Sequence, residues 1–230
     1  MTKSRVLVSI AATASFFILS TVANATSLNT ELLINGNAET GTTAGWTSTG
    51  IEVVASSSPG SLGVPVGMSL GNWVFTGGTG DATSQSLLQT VNIADLGASV
   101  DAGALKYSFS ILVLSKMDGT IDYATGQLRF LNSGSSVISS IAFGDDHILN
   151  QVYDWSFVTL TNVIPSGTRS IQLFLDTSRS VGLSSDGSFD NASLILSAVP
   201  EPNSLKLAFF GYIAVAFLTF GRNRTQRIDA

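Results

Sequence analysis

Residues 104–114, with the sequence ALKYSFSILVL, decide the fold of this chain. Apolar side chains stand at every second position from Leu105 to Val113, and Lys106 and Ser108 fall between them. Successive side chains of a β-strand point to opposite faces, so this period predicts a strand that is buried on one face. The same alternation recurs in six further segments, at 86–93, 127–131, 137–143, 157–163, 170–175 and 189–196.

Turn-forming residues separate these segments. Clusters of Gly, Ser, Thr, Asn, Asp and Pro lie at 77–81, 132–134, 165–167 and 185–187, and most of these residue types favour the backbone conformations of tight turns. Only 94–103 has the pattern of a short helical turn. Many short alternating strands joined by such turns predict an all-β, antiparallel β-sandwich, and the form they favour is the jelly roll.

The first 25 residues have the organisation of a signal peptide. Lys3 and Arg5 form a basic start, 6–22 is apolar, and Ala23-Asn24-Ala25 is an A-x-A cleavage site. We therefore expect export, with signal peptidase and the export machinery as partners, and a mature chain that begins at Thr26.

The end of the chain forms a second targeting segment, at 199–227. Val-Pro-Glu-Pro at 199–202 precedes an apolar run at 205–221, which Arg222, Arg224 and Arg227 follow. A helix over that run would be about 25 Å long, slightly less than a hydrocarbon core of about 30 Å. Basic residues after a span place its end in the cytoplasm. The pattern predicts a transmembrane helix with the folded domain outside, and a short tail at 228–230.

The residues Pro200-Glu201-Pro202, the apolar run and the three arginines together closely resemble the PEP-CTERM sorting signal of Gram-negative bacteria that make extracellular polysaccharide. The resemblance implies transient anchoring in the inner membrane through 205–221, followed by recognition and cleavage near Pro-Glu-Pro by an exosortase. It also implies a final location at the cell surface or in the extracellular matrix of a biofilm. The alternative is an ordinary C-terminal membrane anchor.

Residues 26–198, between the two targeting segments, are expected to form one domain. They contain five basic and fourteen acidic residues, a net charge of −9, so the domain has no basic footprint for nucleic acid. The chain has no cysteine and one histidine, His147, which excludes disulfides, thiol chemistry and a histidine-rich metal site. Neutral sugars and divalent cations remain as partners.

Two motifs lie at the ends of this domain. The opening motif, Asn35-Gly36-Asn37-Ala38-Glu39-Thr40-Gly41, follows a predicted first strand at 31–34, and the closing motif is Phe189-Asp190-Asn191-Ala192-Ser193-Leu194. They resemble the opening and closing motifs of galactose-binding-like jelly rolls, a fold that many carbohydrate-binding modules share. The resemblance implies that the first loop and the last strand meet around a structural calcium ion, with Glu39 and Asp190 among its oxygen ligands. The alternative is that these two acids cap turns or pair with an arginine.

A sugar site would need exposed aromatic rings for stacking, with amide or carboxylate groups beside them. The candidate contacts are Trp73, Tyr123, Tyr153 and Trp155, with Asn72 and Asp81 as polar partners of Trp73. Trp73 is the preferred contact because it follows Gly71-Asn72 at an expected strand start and precedes a glycine-rich loop. Trp46, inside the opening region, is expected in the core.

The sequence offers little support for catalysis. Asp145-Asp146-His147 is typical of a solvated turn, and neither a nucleophile with its base nor a pair of carboxylates at fixed separation can be identified. We therefore expect a protein without enzymatic activity. Two hypotheses remain: a module that binds exopolysaccharide or a cell-surface glycan, and a structural matrix protein that has no defined ligand pocket.

Overall fold

The computed structural model describes residues 25–61, 63–79, 83–117, 121–144, 154–179 and 181–200. The predicted signal peptide up to Asn24, His147 and the tail beyond Pro200 lie outside these ranges. In chain order the strands are β1 Thr47–Ser48, β2 Glu52–Ala55, β3 Trp73–Thr76, β4 Ser84–Asn92, β5 Leu105–Leu114, β6 Lys116–Met117, β7 Ile121–Leu131, β8 Val137–Gly144, β9 Ser156–Val163, β10 Ser170–Arg179 and β11 Ser188–Ala198. A 3₁₀ turn at Ala94–Leu96 and the short helix α1 at Gly97–Asp101 lie between β4 and β5.

The strands form two antiparallel sheets. One has the order β1-β4-β10-β7-β6, with β8 also paired to β7, and the other has the order β2-β3-β11-β5-β9. From β3 onward the chain passes between the sheets at almost every connection, and only β6, β7 and β8 follow one another within one sheet. This is a jelly-roll-like β-sandwich, so the predicted all-β, antiparallel architecture is confirmed.

The core lies between the two sheets and follows the alternation of β5. Leu105, Tyr107, Phe109, Ile111 and Val113 are all at most 3% exposed. The two aromatic rings among them contact rings of the facing sheet. The centroid distances are 5.1 Å from Tyr107 to Phe130 and 5.0 Å from Phe109 to Phe143. Trp46 is 9% exposed and its ring meets Phe75 edge-on at 5.7 Å, which confirms its predicted place in the core.

The seven strands predicted from alternation all form, and so does the helical turn at 94–103. The predicted first strand at 31–34 is reduced to one bridge, between Glu31 and Ile195. A physical reason is visible: the Glu31 carboxylate accepts the backbone N–H groups of Leu194 at 2.9 Å and Leu33 at 2.8 Å, while the Leu32 N–H still donates to the Leu194 carbonyl at 3.0 Å. The side chain thereby takes donors that a regular strand pair would share between backbones.

The short strand β3 has no alternation of the kind seen in β5, because it is buried on both sides. Phe75 points into the core, while Val74 is covered on the outer side by a second apolar cluster that contains Leu70 and Trp155. Leu70 belongs to the long β2–β3 connection, at 56–72, and Trp155 lies directly before β9. In the part of the chain that the structure describes, no helix has the length and apolar character needed to cross a membrane.

Candidate functional site

Glu39 fastens the opening loop to the start of β3. Its Oε1 accepts the backbone N–H groups of Asn72 at 2.8 Å and Trp73 at 3.0 Å, and its Oε2 accepts the Asn72 side-chain amide at 2.9 Å. The pKa of Glu39 is lowered, mainly by the hydrogen bond from the Trp73 N–H. Desolvation opposes this shift, and the two hydrogen bonds from Asn72 add to it. The carboxylate is therefore held in its charged form, and we call this set of contacts the Glu39 clasp.

Gly71 makes the Glu39 clasp possible. It has a φ of +62°, and a Cβ at this position would overlap Oε1 of Glu39. Only glycine combines this left-handed backbone with such a close approach. The glycine before Asn72 in the sequence is therefore explained by the carboxylate that lies against it.

Asp190 lies where β11 is irregular and is fully buried. Its Oδ1 accepts the Asn191 N–H at 2.7 Å, whereas Oδ2 has no hydrogen-bond partner among the described residues. Desolvation raises the pKa of Asp190 to about 8, the Asn191 N–H opposes the rise, and the negative charge of Glu39 adds to it. Asp190 is thus a carboxyl group with an orphaned oxygen and an acidic neighbour.

The opening loop and the last strand meet, as the motif resemblance implied. Gly36 accepts the N–H of Ala192 at 2.9 Å, and a Cβ on Gly36 would overlap the Ala192 carbonyl. Asn191, at a φ of +52°, donates its side-chain amide to Ser69 at 2.7 Å. The described residues contain no group of three or more His, Cys, Asp or Glu side chains that could hold a metal. A cation here would therefore need backbone carbonyls in addition to the two carboxylates.

The structure does not gather the predicted sugar contacts into one place. Trp73 is 38% exposed and its indole lies against Gly41, and the Asn72 amide is engaged by the Glu39 clasp. Tyr123 is half-buried on β7, in the opposite sheet. Asp81 and Tyr153 lie outside the described residues.

Trp155 differs from the expectation of an exposed ring. It is only 3% exposed, and its Nε1 donates to the Gly60 carbonyl at 2.9 Å. The long β2–β3 connection covers it, so it offers no face to a sugar. Its place among Leu70, Val74, Leu112 and Leu114 makes it a structural residue of the second cluster.

Sequence reasoning missed the solvent face of the six-stranded sheet. Phe174 of β10 lies there under the Arg129 guanidinium, whose Cζ is 4.3 Å from the ring centroid. Arg129 donates from Nε to Gln127 at 2.9 Å and from Nη1 to Gln172 at 3.2 Å. Gln172 in turn donates to Thr90 at 3.2 Å. Amide, hydroxyl and guanidinium groups thus form a connected row across β7, β10 and β4.

An open pocket of about 390 Å³ adjoins this row, between β7, β8 and β10. Phe174 and Phe143 supply apolar surface, and Thr125 and Gln127 supply polar groups. A Cβ on Gly126 would overlap the Phe143 ring, so glycine at the centre of β7 lets that ring approach. Another pocket, of about 630 Å³, is formed by the 56–71 loop, and the described residues that line it include no aromatic side chain.

A signal for this pocket was present in the sequence. In β10, Ile171, Leu173 and Leu175 occupy the buried phase, and Phe174 falls on the other phase between Gln172 and Asp176. A large aromatic residue in the polar phase of a strand is a candidate ligand contact. The predicted contacts were tryptophan and tyrosine residues only, so they did not include this phenylalanine.

No protein-family model matches the sequence, and no curated protein matches it. Among solved structures, TmCBM61 in complex with β-1,4-galactotriose aligns at 16% identity over 74% of this chain and 100% of that one, with a TM-score of 0.47. The C-terminal family 22 carbohydrate-binding module of Clostridium thermocellum Xyn10B aligns at 16% identity over 73% and 93%, with a TM-score of 0.39. The enzymatically active domain of bacteriophage CBA120 tailspike protein 4 aligns at 16% over 74% of this chain and 21% of its own, with a TM-score of 0.47. These likenesses concern the β-sandwich fold alone.

The substitution Gly71→Ala tests the Glu39 clasp. It should lower the free energy of unfolding by about 2–4 kcal/mol, because it combines a left-handed backbone with the loss of charge-assisted hydrogen bonds. The matched control is Gly67→Ala in the same connection, where φ is +88° and nothing lies within 4 Å of the added Cβ. It should cost about 1 kcal/mol. Denaturant unfolding measures both, and equal losses would show that the clasp contributes nothing.

Proposed function

We propose that this domain is a non-catalytic carbohydrate-binding module of the galactose-binding-like jelly-roll class. The observation that carries the proposal is the pocket between β7, β8 and β10. It combines the Phe174 ring, which suits the C–H face of a sugar, with amide and hydroxyl groups that suit its OH groups. A volume of about 390 Å³ is within the usual range of ligand pockets, about 300–1,000 Å³.

The electrostatics of the pocket favour a neutral or weakly acidic glycan. Among the described residues, no carboxylate lines it, and the nearby cation, Arg129, is held over Phe174 and between two glutamines. Glycoside hydrolysis usually needs two carboxyl groups flanking the bond, whereas the described lining offers an aromatic ring, an amide and a hydroxyl, which suit binding. Exopolysaccharide or a cell-surface glycan is the ligand class that fits an exported protein.

We also propose that a calcium ion binds between the opening loop and β11. The support is Asp190 Oδ2, a buried oxygen without a described partner, beside the charge of Glu39. A divalent cation would satisfy that oxygen and offset the repulsion between the two carboxylates. Glu39 already accepts three hydrogen bonds, but a carboxylate has about four acceptor sites, so one remains. Backbone carbonyls would complete the six to eight oxygen ligands that calcium takes.

For localisation, we propose export followed by exosortase sorting. The support is the sequence alone: Ala23-Asn24-Ala25 after an apolar run, and Pro200-Glu201-Pro202 before a second run that ends at Arg222, Arg224 and Arg227. An inner-membrane anchor through 205–221 would hold the domain outside until the tail is cleaved. The sandwich ends at Ala198, directly before this segment.

Glycan binding is tested by Phe174→Ala, once a glycan array has identified a ligand for the mature chain. Loss of one stacking ring should weaken binding by about three- to tenfold in calorimetry. The matched control is Leu88→Ala. Leu88 pairs with Phe174 in the neighbouring strand and is also half-buried, but it does not line the pocket. Equal binding by the two variants, or an array without hits, would remove this pocket as the sugar site.

The calcium site is tested by Asp190→Asn in thermal melts with calcium and with a chelator. The wild-type chain should melt at a higher temperature in calcium, because a ligand bound only by the native state stabilises it, and the variant should lose that difference. The control is Asp101→Asn. It removes the ion pair between Asp101 and Arg169, in which Oδ2 and Nη2 are 2.6 Å apart, and Asp101 belongs neither to the opening loop nor to β11. This substitution should lower the melting temperature equally in both conditions. If the wild-type chain melts identically in calcium and chelator, Asp190 holds no metal.

Sorting is tested by mass spectrometry of the protein recovered from the outer surface of the producing cell. Cleavage near Pro-Glu-Pro should leave a C-terminus close to Pro202, with no peptide from 205–227. The export signal should likewise be absent, with Thr26 as the first residue. Peptides that extend through Arg227 in most molecules would instead identify a permanent membrane anchor.

A further inference from the structure

The two sides of the sandwich have very different edges. On one side the sheets end in β1, of two residues, and β2, of four, which carries Glu52. On the other side the long edge strands are β8 and β9, each of eight residues, with no charged residue and no proline, and the two-residue β6 pairs with the opposite end of β7 from β8. Natural sheets usually protect an edge with charge, proline or short length. Strands β8 and β9 have none of these three protections.

The backbone of β9 presents a regular row of hydrogen-bonding groups away from the sheet. Ile164, directly after β9, donates its N–H to Leu105 of β5 at 3.0 Å. In an antiparallel strand the N–H and C=O of one residue point to the same side, and the side alternates along the chain. The outward-directed residues are therefore Phe157, Thr159, Thr161 and Val163. The Val163 N–H of this row donates to the side chain of its own neighbour Asn162 at 2.8 Å.

The side chains of these four residues have a symmetric order: apolar, threonine, threonine, apolar. All four lie on the solvent face of the sheet, with Phe157 at 40% and Val163 at 44% exposure. A two-fold axis at Leu160 would place Phe157 opposite Val163 of a second copy. It would also place Thr159 of each copy opposite Thr161 of the other. Aromatic–β-branched and threonine–threonine neighbours are both favourable cross-strand pairs.

We propose that β9 pairs antiparallel with β9 of a second copy of this chain, which joins two five-stranded sheets into one of ten strands. The occupant is a second copy because the strand is complementary to itself under a two-fold axis. Charge supports the choice: residues 26–198 carry −9 overall, so copies repel each other except where an uncharged surface lets them approach. One strand pair buries little area, so the association depends on concentration.

Paired charges at 159 and 161 test the register. Thr159→Lys with Thr161→Lys places lysine opposite lysine in this pairing, whereas Thr159→Lys with Thr161→Glu places lysine opposite glutamate. Both threonines are exposed, so both variants should fold. In sedimentation of the full chain in mild detergent, the Lys/Lys variant should dimerise about tenfold more weakly than wild type. The Lys/Glu variant should stay within about threefold of wild type.

Cysteine cross-linking gives an independent measurement, because the chain has no cysteine of its own. A mixture of Thr159→Cys and Thr161→Cys chains should form disulfide-linked dimers between the two variants under mild oxidation. Each variant alone should form far fewer, since neither residue faces its own copy across the axis. The proposal is overturned if the mixture cross-links no faster than the separate variants. It is also overturned if the Lys/Lys and Lys/Glu variants dimerise equally, or if the wild-type chain stays monomeric up to about 1 mM.

Discussion

The burial of one face of β5 between two sheets is the constraint on which the rest of this structure depends. β5 pairs with β11 on one side and β9 on the other, and its inward side chains meet rings of the facing sheet. A fully buried apolar side chain stabilises a fold by about 1.5–3 kcal/mol, so a one-residue slip in register would be very costly. Every outward position on the neighbouring strands is thereby fixed. That is why the threonines of β9 have defined places on the surface. In the facing sheet, the buried phase of β10, Ile171, Leu173 and Leu175, fixes Phe174 on the solvent face in the same way.

Sequence periodicity predicted the long strands because each is buried on one face only. Periodicity did not reveal β3, because Val74 and Phe75 are adjacent and both buried under the distant cover of Trp155 and the 56–72 connection. The strand start expected after Gly71-Asn72 is nevertheless confirmed, since β3 begins at Trp73. The motif resemblance predicted that the opening loop contacts β11. It did not predict the interactions that hold the opening loop in place. The Glu39 clasp depends on backbone N–H groups of Asn72 and Trp73, and backbone donors 33 and 34 residues away leave no trace in composition or period.

The motif resemblance assigned Glu39 and Asp190 the same role, but the two carboxyl groups have different surroundings. Glu39 is satisfied by three donors, and these favour its charged form. Asp190 is desolvated, keeps one oxygen without a described partner, and has a pKa raised to about 8. A buried carboxyl group of this kind is stable in a native protein when it is protonated or when a cation lies beside it. Asp190 lies in the irregular part of β11, directly before the residues that contact Ser69 and Gly36.

The Phe174 pocket and the β9 edge lie in different sheets. The pocket opens from the solvent face of the β4, β10, β7 and β8 sheet, whereas the free row of β9 extends the other sheet within its own plane. Pairing through β9 therefore leaves the Phe174 pocket of each copy facing solvent. Two sites on one rigid pair bind a repeating polymer more strongly than either site alone, because the second contact becomes intramolecular. Under both proposals, two weak pockets held on one pair would attach to a polysaccharide more firmly than one pocket does.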